Sequence, residues 1–331
     1  MTESIGYMVQ ETDWPTIKAG FVPAIKSPFA TDADNVKVSP ADLVTAGLLG
    51  SGDQSLQAGQ NADASGTASI AFGATAKAAG YAAVATGVGA NANGTSSVAI
   101  GASAFADQIG SVATGYKSVA SNPSATAVGH NSHATGYQSV AIGLNANSAA
   151  GHAIAIGHQS VASFTDSIAI GDSAIASGYG SVATGAGARA QGSQAQAYGD
   201  LARARSHYSV AVGYTAGAGN PASPGTTDYN IGIGAYSAAS GDKSIAVGGY
   251  AAVAAAASNS VAVGYNAQAD VADAVALGRD AHATVANTVA IAWATKGDIM
   301  IAPANGYLQR LAIGTTGQSL KVSAGGIPEW A

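Results

Sequence analysis

From residue 59 to residue 213 a glycine returns every 14 residues: Gly59, Gly73, Gly87, Gly101, Gly115, Gly129, Gly143, Gly157, Gly171, Gly185, Gly199 and Gly213. The series resumes at Gly234, Gly248, Gly264 and Gly278, and Ala292 stands where the next glycine falls. The interval from Gly213 to Gly234 holds seven extra residues, within GAGNPASPGTTDY, and that from Gly248 to Gly264 holds two, near the alanine run after Tyr250. A fixed period sustained for this long specifies a solenoid, in which each copy buries its apolar face only against its neighbours.

Fourteen residues cannot hold a helical hairpin, but they hold two short strands and two turns. The first half of the repeat reads SVAIG at Ser97–Gly101 and Ser139–Gly143, and SIAIG at Ser167–Gly171. Looser copies are SVATG from Ser111 and Ser181 and SVAVG from Ser209 and Ser260. Its β-branched residues alternate with alanine, which is the period of a strand. The second half is weaker, with small residues three and five after the glycine, as at Ala76/Ala78, Ala104/Ala106 and Ala174/Ala176. Glycines at both corners, such as Gly73 with Gly80 and Gly171 with Gly178, permit tight reversals. The pattern predicts an all-β, parallel β-roll over residues 51–292, each coil about 4.8 Å beyond the last.

A two-stranded coil is thin, and the chain has no ordinary core to put in it: of 331 residues 44 are glycine, 10% are charged and 6% aromatic. Alanine fits a narrow interior. Val98/Ile100, Val140/Ile142, Ile154/Ile156 and Ile168/Ile170 then form an apolar stripe outside. Such a stripe on a monomer promotes aggregation, and three rolls around one axis bury it, so a homotrimer is expected. The opposite assignment, with Val and Ile inside, stays open, and so does a dimer. With no cysteine there is no disulfide or thiol chemistry. A net charge of −6 argues against a nucleic-acid surface, and no run approaches the roughly 18 apolar residues of a membrane span. MTESIGYMVQ at the start lacks the basic and apolar regions of an export signal, so none is expected.

SVAIG followed by xxAxAxG in 14-residue coils resembles the head domain of trimeric autotransporter adhesins, the YadA-like left-handed parallel β-roll. The likeness runs from about Leu56 to Ala292. It implies a fibre displayed on a bacterial surface that binds host matrix or cells. Three hallmarks of that family are not seen: the secretion signal, a long heptad stalk, and the C-terminal helix and strands of its membrane anchor.

Residues 296–331 resemble a short segment of bacteriophage fibre and other virion proteins. The elements are Lys296-Gly297-Asp298, Gly306 to Leu311, Gly314 to Leu320 and the final Trp330. IMIA, LQRLAIG and LKVS suggest three short strands joined by Gly and Pro turns, with Trp293 and Trp330 filling a small trimeric β cap over 293–331. Residues 1–50 follow neither pattern. They hold Pro15, Pro23, Pro28, Pro40, Trp14, Phe21 and Phe29, with a short capped helix expected from Ser39. This segment is expected to cap the first coil, to anchor the fibre to a virion through Trp14, Phe21 and Phe29, or both.

Candidate sites are few. Tyr81, Tyr137 and Tyr179 each fall eight residues after an anchor glycine, and Tyr116, Tyr214 and Tyr265 one residue after. Stacked rings along a roll edge could bind sugar, with edge protection and inter-chain packing as the plainer role. The insertion Gly217 to Tyr229, with Asn220, Asp228 and Tyr229, is the better place for specificity, since loops that interrupt a solenoid map to one face. His130, His133 and His158 are expected to be corner or surface imidazoles, and no metal or cofactor is expected. Asp166 and Asp172 lie near one another in sequence without a cleft that would make them a catalytic pair. The expectation is a non-enzymatic homotrimeric fibre of a phage virion, outside the tail or capsid. It would either adhere to a host glycan or protein as a tail fibre or contact mainly other virion proteins as a capsid fibre. A bacterial adhesin fragment is the third reading.

Overall fold

The backbone repeats a unit of seven residues, half of the coil read from the glycines. The computed structural model describes residues 49–220, 229–292, 298–301 and 309–331. From Gln54 through Asn61, Ala68 and Thr75 to Gly180, every seventh residue has positive φ. Each is the third residue of a four-residue turn. At Gly101–Ala104 the Ala104 N–H donates to the Gly101 carbonyl at 3.2 Å while Ser103 has φ of 57°. Positive φ at the third but not the second position is the type II turn. Two such turns per coil leave a three-residue strand on one side and a two-residue strand on the other.

The chain divides into two units at Gly180 and Ser181. In the first, three-residue strands run from Leu56–Ala58 to Ile168–Ile170 and two-residue strands from Lys77–Ala78 to Ile175–Ala176. Each set pairs in parallel with the residue one coil on, as in Val98 with Val112 and Phe105 with Val119. In the second, three-residue strands run from Val182–Thr184 to Val289–Ile291 and two-residue strands from Arg189–Ala190 to His282–Ala283. The insertions leave the ladder in register: Val210 pairs with Ile231 and Ile245 with Val261. This is the all-β parallel solenoid of 14-residue coils that the sequence predicts.

SVAIG can now be parsed atom by atom. Its alanine points inward and its branched residues outward: Ala99 is 0% exposed and Ile100 is 42% exposed. The interior is alanine, and the Val/Ile stripe is external. The serine is inside too, and in several copies the turn before it satisfies its hydroxyl, although Ser97 Oγ and Ser69 Oγ are buried with no partner among the described residues. Ser139 Oγ donates to the Gly136 carbonyl at 2.9 Å, and Ser111 and Ser209 make the same bond to Gln108 and Ser206 at 2.6 Å. The closing glycine has two reasons to be glycine. Gly101 has φ of 128°, and a Cβ there would lie 2.5 Å from the Gly115 carbonyl oxygen of the next coil.

Departures from the pattern sit where the coil length changes. Asn230, just after the seven-residue insertion, takes the place held by Ser209 and Ser244 in the flanking coils. It is fully buried. It accepts from Ser206 Oγ at 2.7 Å and donates to Ser244 Oγ at 3.1 Å and to the Gly241 carbonyl. The longer amide re-anchors the chain on re-entry. Val253, in the coil with two extra residues, is buried where other coils place alanine.

After the roll come two antiparallel hairpins, Ile299–Ile301 with Gln309–Leu311 and Leu320–Val322 with Pro328–Trp330. The expected three strands are four, because PEW pairs back on LKV despite its proline. Pro328 is the first residue of its strand, where a missing N–H is tolerated. Asp298 is the hub: its side chain is 2% exposed, holds Arg310 Nε at 2.6 Å and accepts the Ile313 N–H at 3.1 Å. Trp330 donates Nε1–H to the Ala312 carbonyl at 2.6 Å and covers Gly314. Among the described residues there is no helix. Trp14, Phe21, Phe29, Trp293 and the helix expected from Ser39 lie outside the described residues.

Candidate functional site

The turns place side chains in columns along each corner, so residues one coil apart can meet. In the second unit Tyr214, Tyr236, Tyr250 and Tyr265 form one continuous row. Successive ring centroids are 5.3, 4.9 and 5.7 Å apart, with interplanar angles of 81°, 12° and 71°. The Arg279 guanidinium closes the row, 5.4 Å from the Tyr265 ring centre. Tyr214 and Tyr265 directly follow anchor glycines, while Tyr236 and Tyr250 stand one residue further on, at φ of 59° and 58°. The two offsets are the two tip residues of one turn, which is why they join. Holding a bulky residue at positive φ is unfavourable, and the ring contacts oppose that cost. The Tyr236 phenol is pushed above its ordinary value, first by desolvation, then by its hydrogen bond with Tyr214 and by the adjacent Tyr214 and Tyr250.

Elsewhere the rows are shorter. Tyr208 stacks on Tyr229 across the insertion, 5.1 Å apart and 8° from parallel. In the first unit Tyr116 stacks on His130 at 5.2 Å, with the Lys117 ammonium over the same tyrosine. Tyr81, Tyr137 and Tyr179 are all exposed. They share a column but stand four and three coils apart, about 19 and 14 Å at 4.8 Å per coil, so they make no stack. Tyr137 instead meets His152 edge to face at 5.8 Å. Of the insertion residues, Tyr229 is in the Tyr208 stack, Asn220 is partly exposed, and Asp228 lies outside the described residues.

Histidines and carboxylates also pair, twice along a corner column and once across it. His158 Nδ1 lies 2.7 Å from Asp172, His152 Nδ1 3.1 Å from Asp166, and His282 Nε2 2.5 Å from Asp270. Asp166 and Asp172 therefore serve different histidines. His133 Nδ1 sits 2.9 Å from the Asn131 carbonyl. Among the described residues no three or more His, Cys, Asp or Glu side chains converge as a metal site would require.

The short-strand face of the second unit carries a cationic row. Arg189 and Arg203 lie directly opposite one another on neighbouring parallel strands, and Arg203 in turn pairs with Gly217. Arg205 reaches over that glycine: its Nη1 would be 3.5 Å from a Cβ at Gly217. Sequence reasoning missed this row and also Tyr208, Tyr236 and Tyr250. The available signal was column alignment: writing successive coils beneath one another, with the insertions set aside, brings each set together.

The YadA head domain repeat matches residues 59–91, 92–118, 120–146, 150–174, 165–188, 231–251, 249–267, 255–281 and 272–291, together more than half of the chain. The chain belongs to the YadA head domain repeat family. No curated protein matches it. Among solved structures, the crystal structure of the collagen-binding domain of the Yersinia adhesin YadA is 27% identical, over 59% of this chain and 80% of that one, with a TM-score of 0.33. The YadA head matches pause between residues 188 and 231. The coils do not: Gln196–Tyr198 pairs with both Val182–Thr184 and Val210–Val212. That interval holds the seven-residue insertion before Gly234 and also Arg189, Arg203, Arg205, Tyr208 and Tyr229.

Proposed function

We propose that this chain is a length of a non-enzymatic, homotrimeric adhesive fibre. One observation carries the proposal: the interior is filled by alanine, while the larger Val, Ile and Leu side chains line the outside of each unit, as at Ile100, Ile142 and Ile170 in the first and Ile233, Val263 and Leu277 in the second. A roll folding for itself alone would put those residues inside. Packed about a three-fold axis, three copies cover the stripe and leave the corners and short-strand faces outward, as binding surfaces. Crosslinking of the full chain should give a species at three times the chain mass, and Ile142→Asp with Ile170→Asp should abolish it. A monomer at micromolar concentration would overturn the proposal.

The virion is the setting we favour, with the tail as the point of attachment. Its support is the C-terminal segment, whose Asp298, Arg310 and Trp330 knit the two hairpins and are the residues of the phage-fibre-like motif. The YadA head family supports a bacterial cell surface instead. Immunogold microscopy separates these. Gold at phage tails supports the tail fibre, gold over heads a capsid fibre, and gold on bacterial envelopes an adhesin.

A further inference from the structure

We propose that Arg189, Arg203 and Arg205, with the stacked Tyr208 and Tyr229 beside them, bind an anionic polysaccharide. This assignment rests on the adhesive function proposed above and names the class of ligand for it.

The first observation is uncompensated charge. In a chain of net charge −6, three of the five arginines fall within 17 residues. Arg189 and Arg203 are exposed and directly opposite in the ladder, a placement that is destabilising for like charges. Most other coils put neutral residues there, among them Asn91, Phe105, Val119, Ala238 and Gln268, and the one lysine in the column, Lys77, has neutral Asn91 opposite it. Among the described residues none of the three arginines has an ion-pair partner. The nearest carboxylate in the same coil, Asp200, accepts from the Ala186 N–H at 3.1 Å. Arg205 is held below its ordinary value by burial and then by Arg203, with no carboxylate opposing them.

The second observation is spacing. Arg189 and Arg203 occupy successive rungs, and Arg205 fills the next because Gly217 leaves that position empty. The row presents a cation at each step of about 4.8 Å, which suits a linear polymer bearing repeated sulfate or carboxylate groups better than one small anion. Guanidinium groups bind such oxyanions through paired N–H donors.

The third observation selects a sugar polymer. Tyr208, three residues beyond Arg205 at the next corner, is stacked on Tyr229, and both rings are about half exposed. Aromatic rings with an apolar face and a wet hydroxyl suit a sugar ring. A single-stranded nucleic acid also uses stacking and cations. It would need its bases stacked in turn, whereas these two rings cover each other. All these residues lie in the interval between the family matches, residues 189–230.

The test uses the full chain and dextran sulfate, with unsulfated dextran and an oligothymidylate as comparison ligands. Dextran sulfate should bind, and raising salt should weaken it steeply. Arg189→Gln with Arg203→Gln should reduce affinity at least tenfold, and Tyr208→Ala severalfold. The arginine variant should melt no lower than the parent, because it removes a repulsion; arginines kept for packing would give a lower melting point. Equal binding of plain dextran, tighter binding of oligothymidylate, or unchanged affinity in the arginine variant would each overturn the assignment. Adhesion of the parent to host cells is scored in parallel. Adhesion that survives without dextran sulfate binding refutes the ligand class alone, whereas loss of both refutes the adhesive function as well.

Discussion

Ser139 and Gly136 hold one another twice: the serine hydroxyl donates to the Gly136 carbonyl at 2.9 Å and accepts the Gly136 N–H at 3.1 Å. The pair closes a turn with one buried side chain and leaves no donor unused. Ser111 with Gln108 and Ser167 with Phe164 repeat it. In these three coils the serine that opens the phrase is a turn lock inside an alanine core. Ser139→Ala should destabilise the roll by about 1 kcal/mol for the lost bond, while the Gly136 N–H keeps its second acceptor, the Ser148 carbonyl at 3.3 Å. A chemical denaturation curve with unchanged slope and a lower midpoint would show it.

The anchor glycine is less forgiving. A methyl at residue 101 meets the Gly115 carbonyl oxygen at 2.5 Å, and the backbone there is at φ of 128°. Coils must separate locally or the turn must rearrange. Gly101→Ala should cost more than Ser139→Ala, on the order of 2 kcal/mol or above. It should also raise amide exchange at Gly115 and Gly87, the neighbours above and below. An equally protected variant would show that the corner gives way more easily than its geometry implies.

Much of this was legible in sequence because the solenoid repeats its physics. Gly143 and Ala141 announce the corner and the narrow interior, and the 14-residue pairing follows from them. The half-coil was harder to see. Its defining positions, such as Lys117, Asn131 and His152, share a backbone angle but no residue type. The aromatic row was half read: Tyr214 and Tyr265 stood out by their offset, whereas Tyr236 and Tyr250 sit one residue along the same turn. Arg205 could not be placed, since its reach over Gly217 is a choice of side-chain path. Pro328 hid the fourth hairpin strand for a similar reason, as proline speaks against a strand except at its start.

The tyrosine row should be visible by titration. Tyr236 is raised first by desolvation and then by its Tyr214 hydrogen bond and the neighbouring phenols. Its ionisation, followed by absorbance near 295 nm, should come later than that of an ordinary tyrosine, and Tyr214→Phe should bring it back down. The sign for stability follows. A folded-state value above the unfolded one favours the folded chain fully below the unfolded value, near 10, and that contribution is lost as pH rises through the higher folded value. Coincident titration of parent and variant would break the link between Tyr214 and Tyr236.

The C-terminal hairpins depend on Asp298 in a way that can be isolated from the roll. Its carboxylate is almost wholly covered, pairs with Arg310 at 2.6 Å and receives the Ile313 N–H at 3.1 Å. Asp298→Asn keeps the shape and removes the charge, leaving a half-covered guanidinium without its counter-ion. Loss of one member of a covered pair costs several kcal/mol at the upper limit; with Arg310 itself 41% exposed, solvent reduces this to about 1–2 kcal/mol. The loss should stay local. Ile313 and the Trp330 indole N–H should exchange faster, since Ala312, which accepts the indole proton, lies beside Ile313. Amides at Ala99, Ala141 and Ala169 inside the roll should keep their protection. Slower exchange at Trp330, or a matching loss deep in the roll, would show that Asp298 does not hold the hairpins in the manner described.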